Sequence, residues 1–367
     1  MSNRFPLTGL FVLLICAVAV PSTSAQGPTL LESIGQDRPI ELAGEPVPLE
    51  IFDVRSRYEK EMLLTLWDRP QVLLWLKRST RYFPYIAEQL RQRGMPEDLK
   101  YLAVAESALR PHAGSSKGAV GYWQLMPETA RKYSLIVDDF IDERRNLFLS
   151  TPAALTYLQE LHDRFSSWTL AVAAYNMGEE GLTAEVLEQN TRNFYLLYLP
   201  LETQRFIFRV VAAKQVLSNP SRYGFDIADQ ERYPPPAFDT VDIDCFQEVP
   251  IRLIAEAAAT HFKVIKDLNP HFRGYYIQAG RHRVNLPKGQ WADFQGRLDD
   301  ILTAFSSSKE MRLYIVRAGD NLSEIAERFG VPLAALMIWN RIGLKHTIHP
   351  GDRLVIYARR LEQIPTP

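Results

Sequence analysis

The stretch PEDLKYLAVAESALRPHAGSSKGAVGYWQLMPET, residues 96–129, decides the fold of the region around it. Pro96 suits the first position of a helix, because the backbone donor that proline lacks has no partner there. Pro111 disfavours helical backbone in the residue before it, so the helix has to end by then. The sequence therefore predicts a short helix over Glu97 to Leu109, followed by a long loop.

An acid lies on the apolar face of this predicted helix. Leu99, Leu102 and Glu106 stand at i, i+3 and i+7, so the acid shares the face that the leucines bury. A carboxyl group there loses hydration of its charged form, which raises its pKa toward the range that a general acid needs at neutral pH. The alternative is a structural glutamate that is satisfied by Arg110 or by nearby backbone donors.

The segment after Glu106 is small, polar and aromatic, which is unusual for a buried core. Serines, glycines and an amide predict a loop that lines a groove, where such side chains hold sugar hydroxyls and acetamido groups. Tyr122 and Trp123 offer flat faces that pack on sugar rings or on the groove wall. For Trp123 alone, ordinary core packing is the simpler interpretation.

The surrounding chain has a helical pattern. Phe83, Ile86 and Leu90 recur at i, i+3 and i+7, and no long alternating run interrupts the region. We expect an all-α domain over residues 51–230. The prolines near residue 235 lack backbone donors and stiffen the chain, as in a linker between domains.

Two small pieces follow this linker, over about 237–300 and 312–358, with a break at Ser306 to Lys309 between them. They align without a gap at a constant offset of 71 residues. The matching positions are Ile254-Ala255-Glu256 with Ile325-Ala326-Glu327, Leu268-Asn269 with Trp339-Asn340, Ile277 with Ile348, and Gly280 with Gly351. We infer two copies of one module, of which the first is degenerate. The expected fold class is thus α+β multidomain.

The second copy has the pattern of a strand, two helices and a closing strand, a βααβ order. With Gly319-Asp320, Asn340 and Pro350-Gly351 at these spacings, it resembles a lysin-motif (LysM) domain. The resemblance implies binding of N-acetylglucosamine in chitin or peptidoglycan. The groove that it implies contains Gly319, Asp320, Asn321, Leu322 and Ile348. Of these, Leu322 and Ile348 also suit a core. The first copy lacks the Gly-Asp turn, so its sugar binding stays open.

The helical region carries a longer pattern. Its positions are Glu106-Ser107, Pro111, Ser115, Gly118-Ala119, Gly121, Trp123-Gln124, Met126-Pro127, Thr129-Ala130, Ala174-Tyr175-Asn176 and Gly178. This pattern resembles the soluble and membrane-bound lytic murein transglycosylases, most closely their type D group. The resemblance spans about residues 75–217. It implies a goose-type lysozyme-like α fold and a groove for alternating N-acetylmuramic acid and N-acetylglucosamine.

The resemblance also implies roles for single residues, with Glu106 as the sole catalytic group. Ser115 and Gln124 are expected at the muramyl sugar. The positions that it assigns to the groove as a whole are Ser107, Ser115, Gln124, Met126, Tyr175, Asn176 and Phe206. Ser107 is expected to support the helix end. At Phe206 the family usually has a tyrosine, so a hydroxyl that lies near the acid in relatives is missing here.

The function that follows is cleavage of the β-1,4 bond after N-acetylmuramic acid, with a 1,6-anhydro product. A hydrolytic muramidase that acts on the same bond is one alternative, and a catalytically silent wall-binding scaffold is another. Asp142 and Glu143 are candidates for a second acid. Because Arg144 and Arg145 follow them directly, we interpret them as a salt-bridged loop.

Composition argues against several other classes of protein. The formal net charge of −1 provides no basic field for nucleic acid. The seven histidines are scattered and show no recognised ligand spacing, so neither a metal nor a cofactor is expected. The expected partner is the peptidoglycan glycan strand.

The N-terminus predicts export. A cation, an apolar run from Leu7 to Val20 and a small-residue stretch up to Ala25 are typical of a signal peptide over residues 1–25. The run of about 14 residues is short for a membrane helix, the alternative. Cys16 lies inside the run, so no lipid anchor is expected. Residues 26–50 are expected to form an extended lead-in, and the protein to reside in the periplasm of a Gram-negative-type envelope.

Overall fold

The computed structural model describes residues 32, 34–35, 39–307, 311–343 and 346–357. The predicted signal peptide lies outside this part of the chain. The described residues are mostly helical, and their buried apolar side chains form three clusters, which span residues 40–225, 243–298 and 316–356. None of the helices within these ranges is long and apolar enough to cross a membrane.

Eight helices build the first cluster. They are α1 Phe52–Trp67, α2 Arg69–Gln92, α3 Lys100–Ser107, α4 Pro127–Lys132, α5 Leu147–Phe165, α6 Trp168–Met177, α7 Glu179–Glu188 and α8 Leu201–Ser218. Helix α6 is apolar nearly all round, and Leu170 to Ala174 are each exposed by 1% or less. It therefore lies at the centre, in contact with α5, α7 and α8.

Residues 39–50 belong to this helical domain. They form two paired strands, β1 Glu41–Leu42 and β2 Glu45–Pro46, and Leu42 is fully buried. The Glu45 carboxylate accepts hydrogen bonds from the Ser167 hydroxyl and from two backbone amides at the start of α6. The sequence predicted an extended lead-in here but not the pairing of the strands or the burial of Leu42, because strands of two residues are too short to leave a periodic pattern.

The helix that carries Glu106 is shorter than predicted. A single 3-10 turn, Glu97–Leu99, leads into α3, which ends at Ser107 rather than at Leu109. Ala108 and Leu109 both have left-handed backbone, with φ of 53° and 58°, and therefore leave the helix. The chain thus turns away two residues before Pro111 forbids continuation.

The second cluster lies in a module with two strand pairs. Strand β3 Phe238–Cys245 pairs antiparallel with β6 Gly280–Pro287, and β4 Val249–Pro250 pairs with β5 Tyr276–Ile277. Between them lie the helices α9 Ile251–Ala257 and α10 Phe262–Leu268, and α11 Phe294–Ser307 follows β6. The predicted break at Ser306 was placed too early, because α11 continues to Ser307.

The third cluster lies in a smaller module, in the order strand, helix, helix, strand. Its elements are β7 Met311–Ile315, α12 Leu322–Phe329, α13 Leu333–Asn340 and β8 Arg353–Tyr357. The two strands pair antiparallel from Met311 opposite Tyr357 to Ile315 opposite Arg353.

One buried asparagine makes the same contacts in both modules. The Asn340 amide donates to the Val355 carbonyl at 2.7 Å and accepts from the Val355 amide at 2.6 Å. The Asn269 amide makes the matching pair with Asn285, at 2.7 and 2.8 Å. Each asparagine also donates to the carbonyl one turn back in its helix. The internal repeat is therefore visible in hydrogen bonding as well as in sequence.

Candidate active site

Glu106 lies in the last turn of α3, half-buried at the contact with α8. Its carboxyl group makes no hydrogen bond or ion pair with any residue that the structure describes. Burial raises the pKa of Glu106 to about 8, while Arg209 lowers it and Glu202 raises it further. The carboxyl group is therefore mostly protonated at pH 7, which is the state of a general acid.

The structural alternative for Glu106 was a glutamate satisfied by Arg110 or by backbone amides. Arg110 instead donates from Nε to the carbonyl oxygen of Ser107 at 3.0 Å. The amides of Ala108 and Leu109 donate to carbonyls of α3. Both groups of expected partners are thus committed elsewhere, and the structural alternative is wrong.

Helix α8 supplies the second wall of the site. Glu202, Phe206 and Arg209 stand at i, i+4 and i+7, so they share one face of α8. Arg209 donates to the Glu202 carboxylate, and its guanidinium carbon lies 5.5 Å from the centre of the Phe206 ring. Phe206 is only 2% exposed. The charged pair was not predicted from the sequence, although its helical spacing from Phe206 was a usable signal.

Tyr175 and Asn176, at the end of α6, connect this helix to the groove loop and to α8 by hydrogen bonds. The Tyr175 hydroxyl donates to the Trp123 carbonyl at 2.7 Å. Burial, and next the charge of Glu106, holds the Tyr175 pKa well above its ordinary value. Asn176 accepts from the Thr203 hydroxyl at 3.0 Å, which links α6 to α8. Both predicted residues therefore lie among the elements that surround Glu106.

Ser107 joins the end of α3 to the loop that follows. Its hydroxyl oxygen lies 2.7 Å from the Tyr122 carbonyl and 3.0 Å from the Ala103 carbonyl. It also accepts from the Arg110 amide at 3.3 Å. At 2% exposure Ser107 is closed off from a groove, so the structure places it as a support of the helix and not in contact with a ligand.

Three predicted groove residues lie on the loop and its continuation. The Gln124 side-chain nitrogen donates to the carbonyls of Ala113 and Gly121 at 3.1 and 2.9 Å. Gln124 can therefore offer a sugar only its amide oxygen. The exposed Ser115 accepts from the Ala119 amide at 3.1 Å, so its own proton can be donated. Met126 is 37% exposed.

The two aromatic residues of the loop do not face a groove. Tyr122 is 4% exposed and packs edge-on against Tyr82, with ring centres 5.2 Å apart. Trp123 is fully buried and donates from Nε1 to the Thr151 hydroxyl at 3.0 Å. Sugar stacking on either ring is thus excluded, and the core-packing interpretation of Trp123 is confirmed.

Asp142 is held by a bidentate arginine. Arg144 donates to its two carboxylate oxygens at 2.8 and 3.0 Å, and the two residues are 3% and 5% exposed. Arg144 also donates to the carbonyls of Gly118 and Leu125 in the groove loop. The loop approaches so closely that a Cβ on Gly121 would lie 1.9 Å from the Arg144 carbonyl oxygen. The salt-bridge interpretation of Asp142 is confirmed.

Glu143 differs from its neighbour. Its carboxylate accepts from the Ile136 amide at 2.7 Å, and it forms no ion pair within the described ranges. Burial raises its pKa, which the hydrogen bond partly opposes. The salt-bridge interpretation was therefore wrong for Glu143, because the side chain turns toward the backbone of the preceding loop.

In the last module, two predicted sugar contacts hold the fold itself. The Asp320 carboxylate accepts from the Tyr314 hydroxyl at 2.6 Å, from the Arg317 amide at 2.8 Å and from Arg328 at 3.2 Å. Asn321 caps α12 by accepting from the backbone amide three residues later at 2.9 Å. The Asp320 side chain stabilises the turn and the Asn321 side chain caps α12. At these two positions the backbone groups therefore remain for contact with a ligand.

The other three positions predicted to contact sugar in that module differ in their exposure to solvent. Gly319 is exposed, with a φ of 89° that favours glycine. Leu322 and Ile348 are half-buried against the core of the module. In the part of the chain that the structure describes, no three histidine, cysteine, aspartate or glutamate side chains are grouped as a metal site requires.

Comparison with known proteins gives matches to three domain families. The transglycosylase SLT domain matches residues 83–197, the LysM-like domain of lytic transglycosylase MltD matches residues 237–303, and the LysM domain matches residues 314–356. Glu106 and the groove loop lie within the first match, whereas the α8 wall of the site lies just beyond its end. The Asn269 and Asn340 contacts lie within the second and third.

Two kinds of relative accompany these matches. The membrane-bound lytic murein transglycosylase D of Escherichia coli is 34% identical over 298 residues, which cover 77% of this chain and 64% of the relative. The solved lytic transglycosylases SLT70 of Escherichia coli and Slt of Pseudomonas aeruginosa align with TM-scores of 0.33 and 0.29 and identities of 17% and 21%. These alignments cover 52% and 43% of this chain, and 32% and 26% of those chains. The chain thus joins a region that matches the transglycosylase SLT domain to two regions that match LysM-type domains, and it spans 64% of the length of the Escherichia coli relative.

Proposed function

We propose that this protein is a peptidoglycan lytic transglycosylase that cleaves the β-1,4 bond between N-acetylmuramic acid and N-acetylglucosamine. The observation that carries the proposal is the half-buried Glu106, which has no partner within the described ranges and whose pKa is about 8. The match to the SLT domain supports it, as does the relative named a lytic murein transglycosylase.

The first chemical step uses Glu106 as an acid. Its proton goes to the glycosidic oxygen, and the bond from that oxygen to C1 of the muramyl sugar breaks, with the electron pair left on the N-acetylglucosamine fragment. The acetamido oxygen of the substrate steadies the positive charge that develops at C1. The apolar Phe206 wall favours the neutral acid before this step.

The second step uses the same group as a base. The Glu106 carboxylate takes the proton of the C6 hydroxyl, whose oxygen bonds to C1 and closes a 1,6-anhydro ring. Water is not consumed. Most glycosidases need a second carboxylate for this half of the reaction. Glu202, whose charge also acts on Glu106, pairs with Arg209 and so fits a supporting electrostatic role.

The groove residues have distinct tasks in this proposal. Ser115 donates and Gln124 accepts hydrogen bonds at the muramyl sugar, which follows from the groups that each has left. Met126, Tyr175 and Asn176 shape the space beside the acid, and Ser107 and Phe206 support it from behind.

The remaining assignments are also proposals. The domain limits are a signal peptide over 1–25, a goose-type lysozyme-like domain over 51–230 and two βααβ modules over 237–300 and 312–358. The last module would hold N-acetylglucosamine through the Gly319 turn and the Ile348 segment. Export to the periplasm, at the wall or outer membrane, fits the predicted signal peptide and a relative described as membrane-bound.

Digestion of purified sacculi with mass spectrometry of the products tests the function. We expect 1,6-anhydromuramyl ends from the wild type and a loss of roughly 10²- to 10⁴-fold in rate for Glu106→Gln. Glu128→Gln removes an exposed acid in α4 and serves as the matched control. Reducing muramyl ends would make the protein a hydrolase. No turnover by the wild type would make it a scaffold, and full activity of Glu106→Gln would reject the site.

A further inference from the structure

A large cleft lies where the helical domain meets the first module. Its volume is about 880 Å³, within the range of about 300 to 1,000 Å³ that small-ligand sites occupy. One wall is the segment 136–149, and the other is formed by β3, β6 and the chain around His271. Backbone hydrogen bonds join the two walls: Ile141 bridges Phe272, and the Asp142 amide donates to the His271 carbonyl at 2.9 Å.

The floor of the cleft is aromatic. Phe148 of α5 and Phe238 of β3 meet edge to face with ring centres 5.0 Å apart, and Phe272 lies beside them. Neutral polar groups surround these rings. Asn146 and His271 contact each other at 3.2 Å, and burial lowers the His271 pKa to about 4, so this imidazole is uncharged at pH 7. Such a floor suits a ligand that has apolar side chains and polar backbone groups, as a peptide has.

Two exposed arginines lie on the rim of the cleft. Arg281 and Arg283 lie at 3.1 and 3.5 Å from one carboxylate, that of Asp242. The arginines are 71% and 70% exposed, so this sharing is weak and can be given up for a ligand at little cost. Asp244 lies opposite Arg281 in the strand pair but forms no ion pair with it among the described residues, so Asp242 is the carboxylate that a ligand would replace. Glu143 in the opposite wall accepts a hydrogen bond from the Ile136 amide at 2.7 Å, so its carboxylate is turned toward that backbone.

The cleft lies close to the groove loop. Glu143 lines the cleft, and its neighbour Arg144 donates to the Gly118 and Leu125 carbonyls on either side of Gln124. Arg144 therefore links the wall of the cleft to the groove loop. An extended peptide advances about 3.3 to 3.6 Å per residue, so each residue of a branch on a sugar at Gln124 extends its reach toward the cleft by that amount.

We propose that this cleft binds the acidic peptide branch of a muramyl residue, with Arg281 and Arg283 pairing with its carboxylates and the phenylalanine floor contacting its apolar side chains. The inference rests on the proposed function for its substrate. It assigns the first module a role in recognising peptide-bearing strands, in addition to any contact with sugar. The guanidinium forks suit carboxylates because each can donate two parallel hydrogen bonds.

The test compares full-length wild type with the double variant Arg281→Ala/Arg283→Ala. Lys288→Ala is the matched control, since Lys288 is 72% exposed and pairs with Asp239 of β3 just beyond the far end of β6. Each protein is given peptide-bearing glycan strands and strands stripped of peptide by an amidase. We expect the double variant to lose roughly tenfold in kcat/KM, mainly through KM, on peptide-bearing strands only. An equal loss on both substrates, or none, overturns the proposal.

A binding measurement separates this inference from the proposed function. Calorimetry with the free acidic stem peptide needs no turnover. Binding by wild type and by Lys288→Ala, with at least a tenfold weaker Kd for the double variant, supports the cleft even if no glycan is cleaved. Absence of peptide binding to the wild type contradicts it, whatever the activity on strands.

Discussion

Two carboxyl groups flank the groove loop, and they have opposite surroundings. Asp142 is 3% exposed, and Arg144 donates to both of its oxygens. Glu106 is half-buried against α8, with no hydrogen-bond partner in the described part of the chain. Burial is common to both, so burial alone does not distinguish them. The difference is an ion-paired arginine, which Glu106 lacks among the described residues; a carboxyl group without such a partner keeps its proton, as our proposal requires.

Removing Arg144 would make Asp142 resemble Glu106, because Asp142 would then be buried without its main ion-pair partner. For Arg144→Met we expect a loss of about 3 kcal/mol in the free energy of unfolding of the helical domain, because the buried Asp142 then keeps only the longer ion pair with Arg145, at 3.4 Å. Calorimetric unfolding measures it. Activity should fall as well, since the groove loop loses its hydrogen bonds to Gly118 and Leu125.

Arg91→Met is the control for that change. Arg91 pairs with Glu88 at 2.7 Å, but the two side chains are 57% and 44% exposed. An exposed pair contributes about 0 to 1 kcal/mol. If Arg144→Met costs no more than Arg91→Met, the partner of Asp142 is not what distinguishes it from Glu106.

A hydroxyl group placed beside Glu106 would make its surroundings more like those of Asp142. We expect this change to have a smaller effect than the removal of Arg144. Phe206→Tyr adds a donor to the apolar wall, which stabilises the carboxylate and lowers the pKa of Glu106. We expect the alkaline limb of kcat/KM to move down by about one pH unit, equivalent to about 1.4 kcal/mol. The pH–rate profile of the variant on glycan strands measures the shift.

Phe208→Tyr controls for overpacking, because Phe208 is equally buried on the same helix at 1% exposure, while only Phe206 shares the face of Glu202 and Arg209. If the alkaline limb of kcat/KM is unchanged in Phe206→Tyr, or moves equally in Phe208→Tyr, then a hydroxyl at position 206 does not act on Glu106.

The sequence predicted the position of Glu106 because a helix projects every third or fourth residue to one face. It did not predict where that helix ends. Ala108 and Leu109 adopt left-handed backbone for tertiary reasons, since neither residue type favours it. The Arg209–Glu202 pair was missed for a related reason: a pattern on α8 does not reveal which helix faces it.

In the C-terminal modules, the offset of 71 residues located Asn269 and Asn340, and both asparagines make the same hydrogen bonds. The sugar contacts were harder to predict. Asp320 and Asn321 satisfy a turn and a helix start, and these local uses of short polar side chains look identical in sequence to ligand contacts.

The pH dependence of kcat/KM, measured on glycan strands under conditions where binding does not saturate, tests the central claim most directly. It reports the pKa of the essential acid in the free enzyme. Because Glu106 must carry its proton, we expect activity to fall tenfold per pH unit above a midpoint of about 8. A difference titration against Glu106→Gln should show the same group. A fall that begins near pH 4 to 5, the range of an ordinary glutamate, would contradict the account.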